Sequence, residues 1–247
     1  MAGADLRIFG DAAGLARAAA GAAGRVLAAA ARAHGSASIA LAGGNTPRDL
    51  YRRLALAHGA DVPWRKVHVF WGDERDVPPD DPASNYRMAR ECLLDLVPIP
   101  PDHVHPMPAG AGDPAAAAAA YERTLRGRFS NAWPDFDLVL LGMGGDGHTA
   151  SLFPEAETLT ERRRWVVPAM APPDVEPRGR LTLSLPAIAH GRALFVLVTG
   201  PDKAPALRRA LNDPPGPECP ASLLRTSAAP VVWWADAQAA ARVVSSH

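Results

Sequence analysis

Cysteine is scarce in this sequence, and the pair it has, Cys92 and Cys219, forms neither a CxxC motif nor a disulfide framework. That usage suits a reducing compartment and excludes a small disulfide-stapled domain. Net charge is missing as well: Lys plus Arg and Asp plus Glu each number 26. With no global basic field, affinity for nucleic acid or acidic membrane surfaces is not expected, and any anionic partner must be bound locally. The longest apolar stretches are alanine-rich and broken by arginine, so none reads as a membrane span. The start, MAGADLRIFGDAAG, lacks the basic residues, apolar run and cleavage pattern of a signal peptide. Together these absences predict a cytoplasmic protein.

Missing motifs narrow the chemistry further. The run Gly142-x-Gly144-x-x-Gly147 has GxGxxG spacing after a strand but does not read as opening a helix, so a dinucleotide is not expected; there is no GKS or GKT of a P-loop and no GxSxG nucleophile elbow. Neither cysteine lies near a histidine in a recognised nucleophile context. Proton transfer and electrostatics are left to carry the reaction.

What is present is a chain of 247 residues, 48% hydrophobic, long enough for a sizeable core. No linker divides it, and we expect a single α/β domain over 1–247. Its centre is Leu138 to Pro154. Phe136 to Leu141, with Asp137 as its only charge, reads as a parallel strand buried on both faces. Gly142, Gly144, Gly145 and Gly147 follow, expected to take positive φ angles and let backbone approach a ligand. Among them stand Asp146 and His148, the members able to trade protons.

Before that centre, Asp11 is placed to cap a helix of Leu15, Ala19, Ala22, Val26, Ala29 and Ala33 that Gly35 stops. The strand Ser38 to Leu41 runs into Gly43-Gly44-Asn45-Thr46-Pro47, with Thr46 as expected N-cap and Pro47 in the first turn. A strand, a double glycine and a helix start leave backbone N–H groups free for an anion, which makes this the candidate phosphate site. After the strand Lys66 to Trp71 comes a charged cluster read as a loop, Asp73-Glu74-Arg75, and Ser84 is expected to cap a helix through Leu96. His103 and His105 lie in a proline-rich stretch without supporting ligands and read as structural. Asp113-Pro114 opens a helix bearing Tyr121, Leu125 and Phe129.

Beyond Pro154 the expected order is strand Trp165 to Val167, a proline loop Pro168 to Pro177, strand Arg180 to Leu185, and strand Ala193 to Val198. A helix from Lys203 through Leu211, a strand Val231 to Trp234 and a C-terminal helix complete the chain, with Trp233-Trp234 in core or interface. Alternating strands and helices predict a mostly parallel sheet with helices on both faces, which binds its ligand at the carboxyl ends of the strands.

Several segments in order carry a resemblance: Gly43 to Pro47, Trp71 to Arg75 with Ser84-Asn85, Gly142 to Pro154, Arg180 to Ser184, and Leu197 to Ala204. They look like the signature segments of 6-phosphogluconolactonases, across nearly the whole chain. The resemblance implies hydrolysis of 6-phospho-D-glucono-1,5-lactone in the oxidative pentose phosphate pathway, with no cofactor and no metal. It also implies the Rossmann-like α/β fold shared with glucosamine-6-phosphate deaminase and ribose-5-phosphate isomerase. Ala42 departs from the pattern, where many relatives have Ser, and removes a hydroxyl contact to phosphate.

Residue chemistry and resemblance point to one set of roles. Histidine, a residue type that titrates near about 6.5, suits a general base at neutral pH, and His148 is that base. Asp146 orients the imidazole or positions substrate hydroxyls. Arg75 or loop N–H groups meet the oxyanion, and Asp73 holds a sugar hydroxyl or Arg75. Gly43, Gly44, Asn45 and Thr46, with Arg180 and Lys203, hold the phosphate. The partner is then a small sugar-phosphate lactone, with neither nucleic acid nor membrane, for a monomer or small homo-oligomer. Two alternatives remain: an amino-sugar phosphate isomerase/deaminase, which ammonia release from glucosamine 6-phosphate would reveal, and a non-catalytic sugar-phosphate sensor, which His148 and Asp73 argue against.

Overall fold

Asp11 caps the first helix as its position predicts, its carboxylate accepting the Gly14 N–H at 2.7 Å, and Gly35 closes that helix in a left-handed conformation. The computed structural model describes residues 5–59, 61–110 and 112–243. In chain order they form β1 (Asp5–Phe9), α1 (Ala12–His34), β2 (Ala37–Leu41), α2 (Asn45–His58), β3 (Val67–Trp71), β4 (Asp73–Arg75), α3 (Asn85–Cys92) and α4 (Pro114–Arg128). There follow β5 (Leu138–Gly142), β6 (Val166–Met170), β7 (Gly179–Leu183), α5 (Leu185–Ala189), β8 (Leu194–Val198), α6 (Ala204–Asn212), β9 (Val231–Asp236) and α7 (Ala237–Ala240). The final residues of the expected C-terminal helix, 244–247, lie outside the described residues.

The main sheet has six parallel strands in the order β1-β9-β8-β5-β2-β3. From β2 the chain moves outward to β3 and then returns to the other side with β5, so the strand order reverses between β2 and β5. A crevice opens at such a reversal, beyond the carboxyl ends of the strands. β2 and β8 are buried at every residue, as strands covered on both faces must be. The lone charge of the central run is structural, with Asp137 Oδ2 accepting from both the backbone N and the hydroxyl of Ser38, each at 2.8 Å. This pins the start of β5 to that of β2. Trp233 and Trp234 are core residues, Trp234 stacking on Phe9 with ring centroids 5.7 Å apart.

A second sheet, antiparallel in the order β4-β7-β6, goes beyond the single sheet that the strand pattern predicts. Gly72 joins the two sheets: its N–H donates to Leu41 O and its carbonyl accepts from Leu183 N, each at 2.8 Å. The Asp73-Glu74-Arg75 cluster is therefore a strand and not the expected loop, because pairing with β7 satisfies its backbone. β6 continues through Pro168 to Met170, where a loop was expected; as an edge strand it tolerates a residue without an N–H. β7 stops at Leu183 because Pro186 favours the first turn of α5. α3 ends at Cys92, and Leu94–Leu96 forms a separate 3-10 turn.

His103 and His105 sit beside β3. His105 N donates to Val69 O at 2.9 Å, His68 stacks on His103 at 3.9 Å between centroids, and His68 Nδ1 meets His105 Nε2 at 3.1 Å. Among the described residues no group of three or more His, Cys, Asp or Glu side chains is arranged to hold a metal ion. Nor is any described helix long and apolar enough to cross a membrane.

Candidate active site

The loop after β5 is fixed by its own backbone. Thr149 Oγ1 donates to Gly142 O at 2.9 Å, Gly144 N to His148 O at 2.9 Å, and Ala221 N to Gly147 O at 2.9 Å. Of Gly142, Gly144, Gly145 and Gly147, only Gly147 has a positive φ, 99°. Gly144 serves a different need, close approach: a Cβ there would stand 2.2 Å from His148 Nδ1 and 2.4 Å from Asp146 Oδ1. The left-handed conformation falls also on Ala150, with φ 49°. A non-glycine residue held there costs roughly 1–2 kcal/mol, and such strain gathers at functional sites.

The tight turn brings His148 Nδ1 to 2.7 Å from Asp146 Oδ1. The same oxygen accepts the His148 backbone N–H at 3.1 Å. Partial burial would raise the Asp146 carboxyl, but the hydrogen bond and charge of His148 outweigh it and hold it below the usual range. Behind the pair, Arg209 Nη2 donates to the Asp146 carbonyl at 3.0 Å. With Nδ1 engaged, Nε2 is the imidazole nitrogen left for another partner. His148 lines a cleft of about 510 Å³. Asp146 stands behind it, outside that lining.

Gly43, Gly44, Asn45 and Thr46 line the same cleft, as do Arg180 and Lys203. α2 begins at Asn45, two residues before the expected start, and its N-cap is Gly44 with φ 101° and no side-chain cap. Thr46 is thus inside the helix, and its Oγ1 lies 2.7 Å from Thr199 Oγ1 instead of capping. An uncapped start leaves first-turn N–H groups and the positive end of the helix dipole for an anion. Ala42, lacking the hydroxyl, has its backbone fully occupied: its N–H donates to Tyr51 Oη and its carbonyl accepts from it, each at 2.8 Å. Lys203 Nζ is paired with Asp202 Oδ2 at 2.9 Å. Arg180 is buried and its Nη1 has no hydrogen-bond partner. Burial, and then the neighbouring Arg75, pull its guanidinium below its usual range, so an arriving anion meets an uncompensated desolvation cost that it can relieve.

The alternation of β4 decides which of its charges face the cleft. Asp73 and Arg75 line it, whereas Glu74 points away and is buried. Asp73 does not hold Arg75: its Oδ2 accepts from Ser151 Oγ at 2.7 Å, and Asn85 Nδ2 donates to its carbonyl at 2.9 Å. Arg75 Nη1 instead donates to the Ala83 carbonyl. Every residue expected at the site is therefore in this region, Asp146 as support and the others on the surface of the cleft. Asn85, Ser151 and Thr199 line it too, and residue patterning assigns them no role. Their signal is weak, since Asn85 follows a helix cap and Ser151 lies three residues past His148, positions common to many loops.

The sequence profile described as glucosamine-6-phosphate isomerases/6-phosphogluconolactonase matches residues 10–233. A 6-phosphogluconolactonase of Synechocystis sp. is 44% identical over 209 residues, covering 83% of this chain and 84% of that protein. The solved 6-phosphogluconolactonase of Trypanosoma cruzi superposes with a TM-score of 0.87 at 32% identity, over 97% of each chain. A monomeric glucosamine-6-phosphate deaminase shares the fold alone, with a TM-score of 0.83 at 23% identity, 96% of this chain and 99% of that one being covered. With a profile match over most of its length and these relatives, the chain belongs to the glucosamine-6-phosphate isomerase/6-phosphogluconolactonase family.

Proposed function

We propose that this chain hydrolyses 6-phospho-D-glucono-1,5-lactone to 6-phospho-D-gluconate. The observation that carries the reading is one cleft lined by an Asp-supported imidazole, an uncapped helix start, Arg180 and Lys203. The relatives named 6-phosphogluconolactonase support it, and nothing in the site favours the deaminase reading. A sugar-phosphate lactone needs both at once, an anion site for the phosphate and a base near the carbonyl.

In this reading the phosphate lies on the N–H groups of Gly44, Asn45 and Thr46, with Lys203 leaving Asp202 to meet it and Arg180 gaining the partner it lacks. Asp146 keeps the Nδ1 proton of His148 in place, and Nε2 takes a proton from water. The resulting hydroxide adds to C1, and the oxyanion is met by Arg75 or by loop N–H groups. Collapse breaks the bond from C1 to the ring oxygen, which takes the proton back from the imidazolium. Water is consumed and the open-chain acid leaves. Because a lactone is intrinsically reactive, acid–base and electrostatic help is sufficient acceleration. The enzyme would work in the cytoplasm on a small molecule, with no nucleic acid or membrane partner.

The test is the hydrolysis rate of freshly generated 6-phosphogluconolactone with and without the protein, beside unphosphorylated gluconolactone and a chelator control. Rapid, chelator-insensitive turnover confined to the phosphorylated lactone is expected. No acceleration over buffer would overturn the reading, and ammonia release from glucosamine 6-phosphate would then be the next assay.

A further inference from the structure

Glu74 is turned away from the cleft by the alternation of β4, and it is 3% exposed. Its carboxylate nevertheless organises much of one wall. Oε1 accepts from Arg75 N at 2.8 Å and Asn85 N at 2.7 Å. Oε2 accepts from Tyr86 N at 2.8 Å and Ser84 Oγ at 3.2 Å. Asn85 and Tyr86 carry the first N–H groups of α3, so a side chain from a strand caps a helix that starts eleven residues later. Burial pushes this carboxyl up, and its backbone donors pull the other way. A packed apolar residue could fill a buried strand position without that desolvation cost, so its role must lie in what it holds.

What it holds is Asn85. The Asn85 amide donates to Asp73 O at 2.9 Å and approaches Asp73 Oδ1 at 3.4 Å. Its Oδ1 packs against the glycine loop so closely that a Cβ on Gly43 would stand 2.0 Å away. Asp73 in turn is bound by Ser151 from the His148 loop. A continuous buried chain, Glu74 to Asn85 to Asp73 to Ser151, thus joins the phosphate loop to the loop of the base.

We infer that Glu74 is a positioning residue for the reaction, acting through Asn85 to set Asp73, and through its own bond to the Arg75 N–H to set Arg75, against the reacting end of the substrate. The inference rests on the lactonase reading. Glu74→Gln places an amide NH₂ where the carboxylate accepted backbone N–H groups, and the donor facing donors displaces the start of α3. The side chains of Glu74 and Asn85 make no hydrogen bond to Gly44, Asn45, Thr46, Arg180 or Lys203, so the loss falls on kcat more than on KM.

The experiment is a double-mutant cycle of Glu74→Gln and Asn85→Ala on 6-phosphogluconolactone, at a temperature well below each variant's melting point. Wild-type turnover is the control: if the wild type is inactive, the functional reading fails and not this inference. The expected result is a loss in kcat of about tenfold for each single variant, KM within about threefold, and no further loss in the double variant. Multiplying losses, or a folded Glu74→Gln variant with unchanged kcat, would overturn the inference. If Glu74→Gln does not fold, Glu74→Asp closes the same cycle, since it keeps the anion and shortens its reach; the same two outcomes apply.

Discussion

Replacing Asp146 by Asn tests the catalytic reading at its most specific contact. The carboxylate accepts at 2.7 Å from His148 Nδ1 and so fixes both ring orientation and tautomer. An Asn amide that turns its NH₂ toward Nδ1 favours the tautomer protonated on Nε2, which cannot take a proton from water. In a fully buried triad such a change costs about 10⁴ in kcat. Here the side chains of His148 and Asp146 are 34% and 40% exposed, so water competes for the same contacts and the loss is smaller. We expect a fall in kcat of roughly 10²–10³, about 2.7–4 kcal/mol of barrier, with KM little changed. The assay is stopped-flow proton release on fresh 6-phosphogluconolactone, corrected for spontaneous opening. Combining Asp146→Asn with His148→Ala should cost no more than His148→Ala alone, because an orienting group has nothing left to orient. A folded Asp146→Asn variant within about threefold of wild-type kcat would refute the argument.

The remaining expectations concern the anion site, the turn and the fold. Lys203→Ala should raise KM about tenfold and leave kcat near wild type, and an unchanged preference for the phosphorylated lactone would count against its phosphate role. Gly144→Ala should lower kcat by at least about a hundredfold in a protein that still folds, since its Cβ would meet the His148–Asp146 pair at 2.2–2.4 Å; wild-type turnover would show that the turn can yield. Burial, with His103, Arg128 and His105 nearby and only Asp102 opposing, lowers the His68 imidazole to about 4. Between pH ~6.5 and ~4 the unfolded chain therefore binds the proton that the folded one refuses, so stability falls as pH falls. For a half-buried ring this amounts to about 1–2 kcal/mol. His68→Gln should flatten chemical-denaturation stability across that window, and an unaltered pH slope would contradict the assignment.

The residues proposed to carry chemistry were legible as candidates in sequence because they sit at a few strand ends, and open α/β sheets gather their ligands there. Asp146 and His148 stand two apart on a glycine loop, and the double glycine before α2 marks a candidate anion site by local geometry alone. Other features were not legible for equally definite reasons. Thr46 resembles an N-cap, but its hydroxyl finds Thr199, more than 150 residues away. Asp73-Glu74-Arg75 resembles a solvated loop because no local pattern announces pairing with β7. The glycines of the central loop look alike in sequence, yet one supplies a positive φ and another makes room for an imidazole.

Sequence by itself determined most of the strands and helices, the chemistry available at their ends and the family, since each rests on short-range pattern or on motif order. Tertiary structure alone decided the second sheet, which charges of β4 face the cleft, and the linkage of Glu74, Asn85, Asp73 and Ser151. Those depend on hydrogen bonds between residues far apart in the chain, and such pairings are chosen only when the strands are laid side by side.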